Sequence, residues 1–140
     1  MKKTLLSFFL MLAMLLLSGC QTALPQSQSN IPLQEAAQQA LKEPDVYVSY
    51  TTEDLYDLTG ISPDDYTEAV FLKDSDTLSG RELIMVRAKD EKTFGMIKEV
   101  LEQYLSQRKE ETRNYLPHAY RLLNDARVEG TGLTVSLIVQ

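Results

Sequence analysis

The chain has 140 residues, enough for one domain, with 14 basic and 20 acidic residues and a net charge of −6. This acidic balance argues against binding nucleic acid or an anionic bilayer through non-specific charge, so no nucleic-acid partner is expected. One cysteine and one histidine are too few for a disulfide scaffold, a zinc finger or a haem site. No cofactor is expected.

Residues 1–19 are predicted to be a signal peptide. Lys2 and Lys3 form a short basic segment, and residues 4–17 form an apolar stretch of 14 residues. That stretch is shorter than the roughly 20 residues needed to span a bilayer core. Because the two lysines stay on the cytoplasmic side, we expect the rest of the chain to be exported.

The apolar stretch ends in Leu17, Ser18, Gly19 and Cys20, which resembles the lipobox of bacterial lipoproteins. The resemblance implies that Cys20 receives a thioether-linked diacylglycerol and becomes the first mature residue. Two acyl chains, at about 0.8 kcal/mol per buried methylene, hold a protein on a membrane firmly. The expected location is therefore the outer face of the cytoplasmic membrane. The alternative is an ordinary secretory signal or an uncleaved anchor, with Cys20 unmodified.

Residues 20–32 are predicted to be a flexible tether, because residues 21–32 are uncharged, rich in Gln and Ser, and contain two prolines. A coil of this length reaches about 20 Å.

Residues 33–140 are predicted to form a single α+β domain. A weakly amphipathic helix over 33–43 precedes Pro44, and residues 46–50 are β-prone but short. One or two helical turns follow at 53–58, with another helix start at 62–65. Two apolar runs, 69–73 and 82–88, predict an antiparallel hairpin that is covered on both faces.

The longest helix is predicted over residues 91–113, with Asp90 as its cap and a stripe of Phe94, Ile97, Leu101 and Tyr104 facing the core. A short helix from Pro117 leads to a second hairpin, with strands at 126–129 and 133–139 and a turn at 130–132. Four short, mostly antiparallel strands packed on one long helix, with short N-terminal helices, make a two-layer α+β fold.

Several segments of the chain resemble a bacterial lipoprotein family, the domain of unknown function 4358. They are Tyr56 to Ile61, Glu82 to Val86, the long helix, Tyr115 to Pro117, and Val128 to Gly130 with Val135. The resemblance spans residues 33–140 and implies a lipid-anchored extracellular domain without an assigned activity. Gly80-Arg81 departs from the family, which usually has a small residue and an acid before the glutamate of the second strand.

The candidate chemical residues are few. His118, the only histidine, has no catalytic motif around it, so we interpret it as a surface residue. Asp74 and Asp76 are weak candidates for a divalent-cation site, with help from Glu68 or Asp64. Ser79 does not match an EF-hand loop starting at Asp74, so a solvated loop is the preferred interpretation.

Two further groups of residues have a simple structural interpretation. Tyr47, Tyr50, Tyr56 and Tyr66 could line a sugar- or peptide-binding groove, but tyrosine is also typical of the edge of a small core. Arg108, Lys109 and Arg113 end the long helix, where positive charge suits the helix dipole.

The sequence thus predicts a non-enzymatic lipoprotein, held on the membrane by diacylglycerol on Cys20, that binds a protein or polymer of the envelope. Alternatives are an accessory subunit for modification of surface polymers, or a hydrolase with an unrecognised site. A pocket with two or more convergent titratable groups would favour an enzyme, and an exposed apolar or tyrosine-lined patch would favour a binding module.

Overall fold

Five antiparallel strands form one sheet in the computed structural model, which describes residues 31–140. In chain order the elements are α1 (Leu33–Ala40), β1 (Tyr47–Tyr50), α2 (Thr52–Thr59), β2 (Tyr66–Asp74), β3 (Glu82–Ala88), α3 (Glu91–Thr112), α4 (Pro117–Asp125), β4 (Val128–Thr131) and β5 (Thr134–Val139). The strand order is β1-β2-β3-β5-β4. The α+β class is confirmed, whereas the predicted signal peptide, Cys20 and the tether up to residue 30 lie outside the described residues.

The sheet has one strand more than the four that were predicted. The β-prone segment becomes the edge strand β1, which pairs with β2 from Tyr47 opposite Asp74 to Tyr50 opposite Phe71. The predicted helix start at 62–65 is only a 3-10 turn, Pro63–Asp65, because β2 begins directly after it at Tyr66.

The main core lies between one face of the sheet and α3. A capping box starts α3: the Asp90 side chain accepts from the Thr93 N–H, and the Asp90 N–H donates to the Thr93 hydroxyl. Ile97 and Leu101 are fully buried in the same cluster as Val135 and Leu137 of β5. The prediction that the helix stripe faces the core is confirmed, and the structure shows that it packs on the alternating apolar residues of the last strand.

The opposite face of the sheet carries a second, smaller core. Leu33 and Ala37 of α1 are buried there with residues of β2 and β3, namely Val70, Leu72, Leu83 and Met85. The two-layer description was therefore incomplete, because α1 adds a partial third layer. Because helices cover both faces of the sheet, β2 and β3 have nearly continuous apolar runs. The prediction of a hairpin covered on both faces is confirmed.

Polar contacts fix the start of α1 to the sheet. The Leu33 N–H donates to the Glu68 carboxylate, which also pairs with Arg87 at 2.7 Å. Arg87 in turn donates to the Ile31 carbonyl at 2.9 Å. The chain preceding α1 therefore enters the domain beside the first residues of β2.

The last hairpin turns later than predicted. Gly130, expected in the turn, belongs to β4 and pairs with Val135, and the turn residue with positive φ is Gly132 at 57°. A Cβ on Gly130 would lie 2.6 Å from Cζ of Phe94. The glycine therefore lets the Phe94 ring pack directly on the strand backbone.

Among residues 31–140 no helix combines the length and apolar character needed to cross a bilayer.

Candidate functional site: a charged pocket at the end of the sheet

A small polar pocket of about 100 Å³ lies where β2, β3 and α3 meet the loop of residues 75–81. We call it the end-of-sheet pocket; its lining residues are Tyr50, Lys73, Asp74, Asp76, Thr77, Gly80, Arg81, Glu82 and Arg108. Three of them are basic and three are acidic, so charged side chains of both signs line the pocket.

Glu82 is the central residue of the pocket and is only 1% exposed. Strand alternation places it on the same face as Ile84, towards α3, and its cross-strand partner is Lys73. Tyr104 and Arg108 lie one turn apart on α3 and therefore face it together.

The contacts of Glu82 leave one of its oxygens free. The Tyr104 hydroxyl donates to Oε2 at 2.9 Å, and Lys73 Nζ lies 3.7 Å from the same oxygen. Arg108 Nε lies 3.8 Å from Oε1, beyond hydrogen-bond distance. Within the described part of the chain, Glu82 Oε1 and Arg108 Nε are buried atoms without a hydrogen-bond partner.

The protonation of the neighbours follows from burial and from Glu82. Burial raises the pKa of Tyr104, and the Glu82 charge raises it further, so this phenol stays protonated and acts as a donor. Burial acts to lower the pKa of Arg108, but the Glu82 carboxylate and the other polar neighbours outweigh it and raise that pKa. Arg108 is thus a fixed cation whose buried Nε–H has no hydrogen-bond partner among the described residues.

The loop wall of the pocket is held by Asp74, which is 4% exposed. One carboxylate oxygen accepts from the Asp76 N–H at 2.8 Å, and the other accepts from Arg81 Nε at 2.6 Å. Arg81 also forms an ion pair with Glu43, with 2.8 Å between Nη1 and Oε2. Asp74 therefore organises the loop and is not the solvated residue that was expected.

The candidate cation ligands are not brought together as a site. Glu68 lies near the start of β2, at the other end from Asp74, and is paired with Arg87. Among residues 31–140, no group of three or more histidine, cysteine, aspartate or glutamate side chains is arranged to hold a metal ion.

The pKa of Asp74 lies below its ordinary value. Burial acts to raise it, but hydrogen bonds from the Asp76 N–H and from the Ser79 and Arg81 side chains lower it by more. Because the folded pKa is below the unfolded one, near 4, the ionised carboxylate stabilises the fold above about pH 4. That contribution is lost as the pH falls through the folded pKa.

We therefore expect Asp74→Asn to lower the free energy of unfolding at pH 7 and to flatten its fall between about pH 5 and pH 2. Urea unfolding across this pH range measures both effects. Asp76→Asn is the matched control, because Asp76 is exposed and its carboxylate accepts from the Leu78 N–H in the same loop. If the free energy of unfolding of Asp74→Asn fell between about pH 5 and pH 2 as steeply as that of the unaltered protein, the stabilising role of the Asp74 carboxylate would be contradicted.

The other predicted residues lie outside this cluster. His118 is exposed in the first turn of α4 and does not line the pocket. The four tyrosines do not form one groove: Tyr47 and Tyr50 are three residues apart on β1 and so point to opposite faces. Tyr50 lines the pocket, Tyr66 is buried in the main core, and Tyr56 is 51% exposed.

Sequence reasoning missed Lys73 and Glu82 and assigned Arg108 only to the helix dipole. A signal for Arg108 was present, because it continues the 3–4 spacing of Phe94, Ile97, Leu101 and Tyr104. An arginine in that stripe must face the sheet and needs a buried acid, which Glu82 supplies.

Comparison with known proteins identifies the family but no characterised relative. No curated protein and no solved structure matches the chain. A family model described as a domain of unknown function, DUF4358, matches residues 39–140, from within α1 to the last residue. The chain therefore belongs to the family of the domain of unknown function 4358.

Proposed function

We propose that the protein is a lipoprotein, held on the outer face of the cytoplasmic membrane by diacylglycerol on Cys20. We propose further that its domain is a non-enzymatic module that binds a protein or polymer of the envelope. The anchor rests on the sequence from Leu17 to Cys20 behind a basic and an apolar segment. The binding role rests on the end-of-sheet pocket.

The observation that supports the binding role is the position of the pocket relative to the point where the chain preceding α1 enters the domain. The chain enters beside Glu68 and Arg87, at the beginning of β2, whereas Lys73 and Glu82 lie at the other end of the β2–β3 pair. Five residues of strand, at about 3.4 Å each, separate Glu68 from Lys73 by about 17 Å. Attachment of the domain through Ile31 therefore leaves the pocket unobstructed, and the proposed flexible tether allows it to face the envelope.

The pocket meets the criterion given above for an enzyme, because Glu82, Asp76 and Lys73 are titratable groups in one cavity, and a hydrolase is therefore the second candidate. Two features favour binding. Both Asp74 oxygens already accept hydrogen bonds within the loop wall, and the only histidine lies outside the pocket. Neither residue is placed to activate a nucleophile there.

The test of the binding role is sedimentation of the protein, purified as the cell processes it and kept in detergent, with envelope fragments freed of membrane lipid, so that the acyl chains do not contribute to pelleting. We expect the protein to pellet with the fragments and to release no soluble product from them. Continuous release of soluble fragments that stops in Glu82→Gln would replace the binding module by the hydrolase. A protein that stays in the supernatant and releases no soluble product would contradict both.

We predict that Cys20→Ser abolishes acylation and leaves the precursor uncleaved at this site, because serine lacks the sulfur that forms the thioether. Metabolic labelling with a clickable fatty acid measures the modification. Ser18→Ala is the matched control, since it keeps a small residue before the cleavage point and should retain the label. Equal labelling of Cys20→Ser and the unaltered protein would refute the lipid anchor.

A further inference from the structure

We propose that the end-of-sheet pocket binds a neutral, hydroxyl-rich unit, namely one sugar or polyol residue of an envelope polymer. The inference rests on the proposed function, because it names the chemical class of the partner bound at that pocket. Its basis is the set of hydrogen-bonding atoms that the pocket leaves unused.

One donor and one acceptor face each other across a gap. The carboxylate oxygen Glu82 Oε1 can only accept, and Arg108 Nε can only donate, yet they lie 3.8 Å apart and make no hydrogen bond. A hydroxyl group donates and accepts at once. A single hydroxyl placed at this gap therefore satisfies both buried atoms.

The charges around the gap disfavour an ionic ligand of either sign. An anion would accept from Arg108 and Lys73, but its oxygens would meet the free lone pairs of Glu82 Oε1. A cation would pair with Glu82 but would meet the two basic side chains. A neutral group with both donors and acceptors matches the pocket without repulsion.

The remaining surface of the pocket suits a second hydroxyl. Lys73 Nζ lies 3.7 Å from Glu82 Oε2 and over the Tyr50 ring, 5.7 Å from its centre, so a second charged donor stands beside Glu82. A volume of about 100 Å³ exceeds the roughly 30 Å³ share of one water molecule in the liquid. The pocket thus admits the hydroxylated edge of a sugar or polyol, while the rest of the polymer stays outside.

The test follows the Arg108 Nε–H resonance by NMR in the purified protein while ribitol, glucose or N-acetylglucosamine is added at millimolar concentrations. We expect at least one neutral probe to shift this resonance, with acetate and inorganic phosphate leaving it in place. Glu82→Gln keeps the shape but removes the carboxylate charge, and Arg108→Lys keeps the charge but removes Nε. Each should weaken binding of envelope fragments, measured by sedimentation, at least tenfold, and Glu82→Gln should also weaken the probe-induced shift of the Arg108 resonance.

Arg113→Lys is the matched control, because Arg113 follows the last residue of the same helix, has a side chain 52% exposed, and pairs with the exposed Glu110. It should bind as the unaltered protein does. If Glu82→Gln fails to fold, the envelope binding of Arg108→Lys alone is compared with that of the unaltered protein. Circular dichroism then checks that Arg108→Lys is folded.

Three outcomes would overturn the inference. They are an Arg108 resonance that no neutral probe moves, a resonance moved by phosphate or acetate only, and envelope binding that survives both variants. In the last case the proposed function stands and only the pocket assignment falls. If the unaltered protein itself showed no binding to envelope fragments, the proposed binding function would be contradicted as well.

Discussion

Replacing Ile97 by alanine is expected to lower the free energy of unfolding by about 2–5 kcal/mol. Ile97 is fully buried in the main core, in the same cluster as Ile84, Val135 and Leu137 of the sheet. The substitution removes three carbon atoms at the contact between α3 and the sheet and leaves a cavity there. Because α3 and the sheet are both regular elements, the site has little freedom to collapse around the missing atoms.

Urea unfolding measures the loss, and the neighbouring Met96 provides its control. Met96 is on the same helix but is 43% exposed, so Met96→Ala should change the free energy of unfolding by less than about 0.5 kcal/mol. The difference between the two variants isolates burial from helix propensity. A loss below about half a kcal/mol for Ile97→Ala would mean that the wrong face of α3 has been assigned to the core.

The fold was largely predictable because its main elements have strong local signals. The 3–4 spacing from Phe94 to Tyr104 and the alternation of Val135, Leu137 and Val139 determine which faces are apolar, and the Asp90 cap fixes the start of the helix. The structure buries the two faces together. The missed features depend on distant partners. The edge strand β1 forms by pairing with the far half of β2, and Gly130 is a strand residue on which Phe94 packs.

The candidate site was less predictable, because its residues are spread from β2 to the end of α3 and are individually ordinary. Lys73 and Glu82 lie at the facing ends of two strands, and charged residues at strand ends are commonly solvated. Only the docking of α3 brings Tyr104 and Arg108 over them and removes Glu82 from water. Sequence spacing shows that Arg108 faces inwards, but it does not show which acid it meets.

The loop that closes the pocket depends on Gly80, and Gly80→Ala is expected to be strongly destabilising. Gly80 has a φ of +77°, and a Cβ there would lie 2.5 Å from Cβ and 2.9 Å from Cα of Ala119 on α4. The left-handed backbone costs about 1–2 kcal/mol for a residue with a Cβ. Overpacking against the helix adds about 1–3 kcal/mol, because the obstructing atoms include backbone that cannot rotate away.

Gly60→Ala separates the two contributions, because Gly60 has the same φ of +77° and nothing lies within 4 Å of the position that a Cβ would take there. Gly60→Ala should therefore show only the backbone cost at the end of α2, about 1–2 kcal/mol. Urea unfolding of both variants gives the difference, which we assign to the contact between the loop and α4. Equal losses for the two variants would show that the loop moves away from α4 without cost. In that case the loop wall carrying Arg81 would be free to move, and the end-of-sheet pocket would have no fixed shape with which to select a ligand.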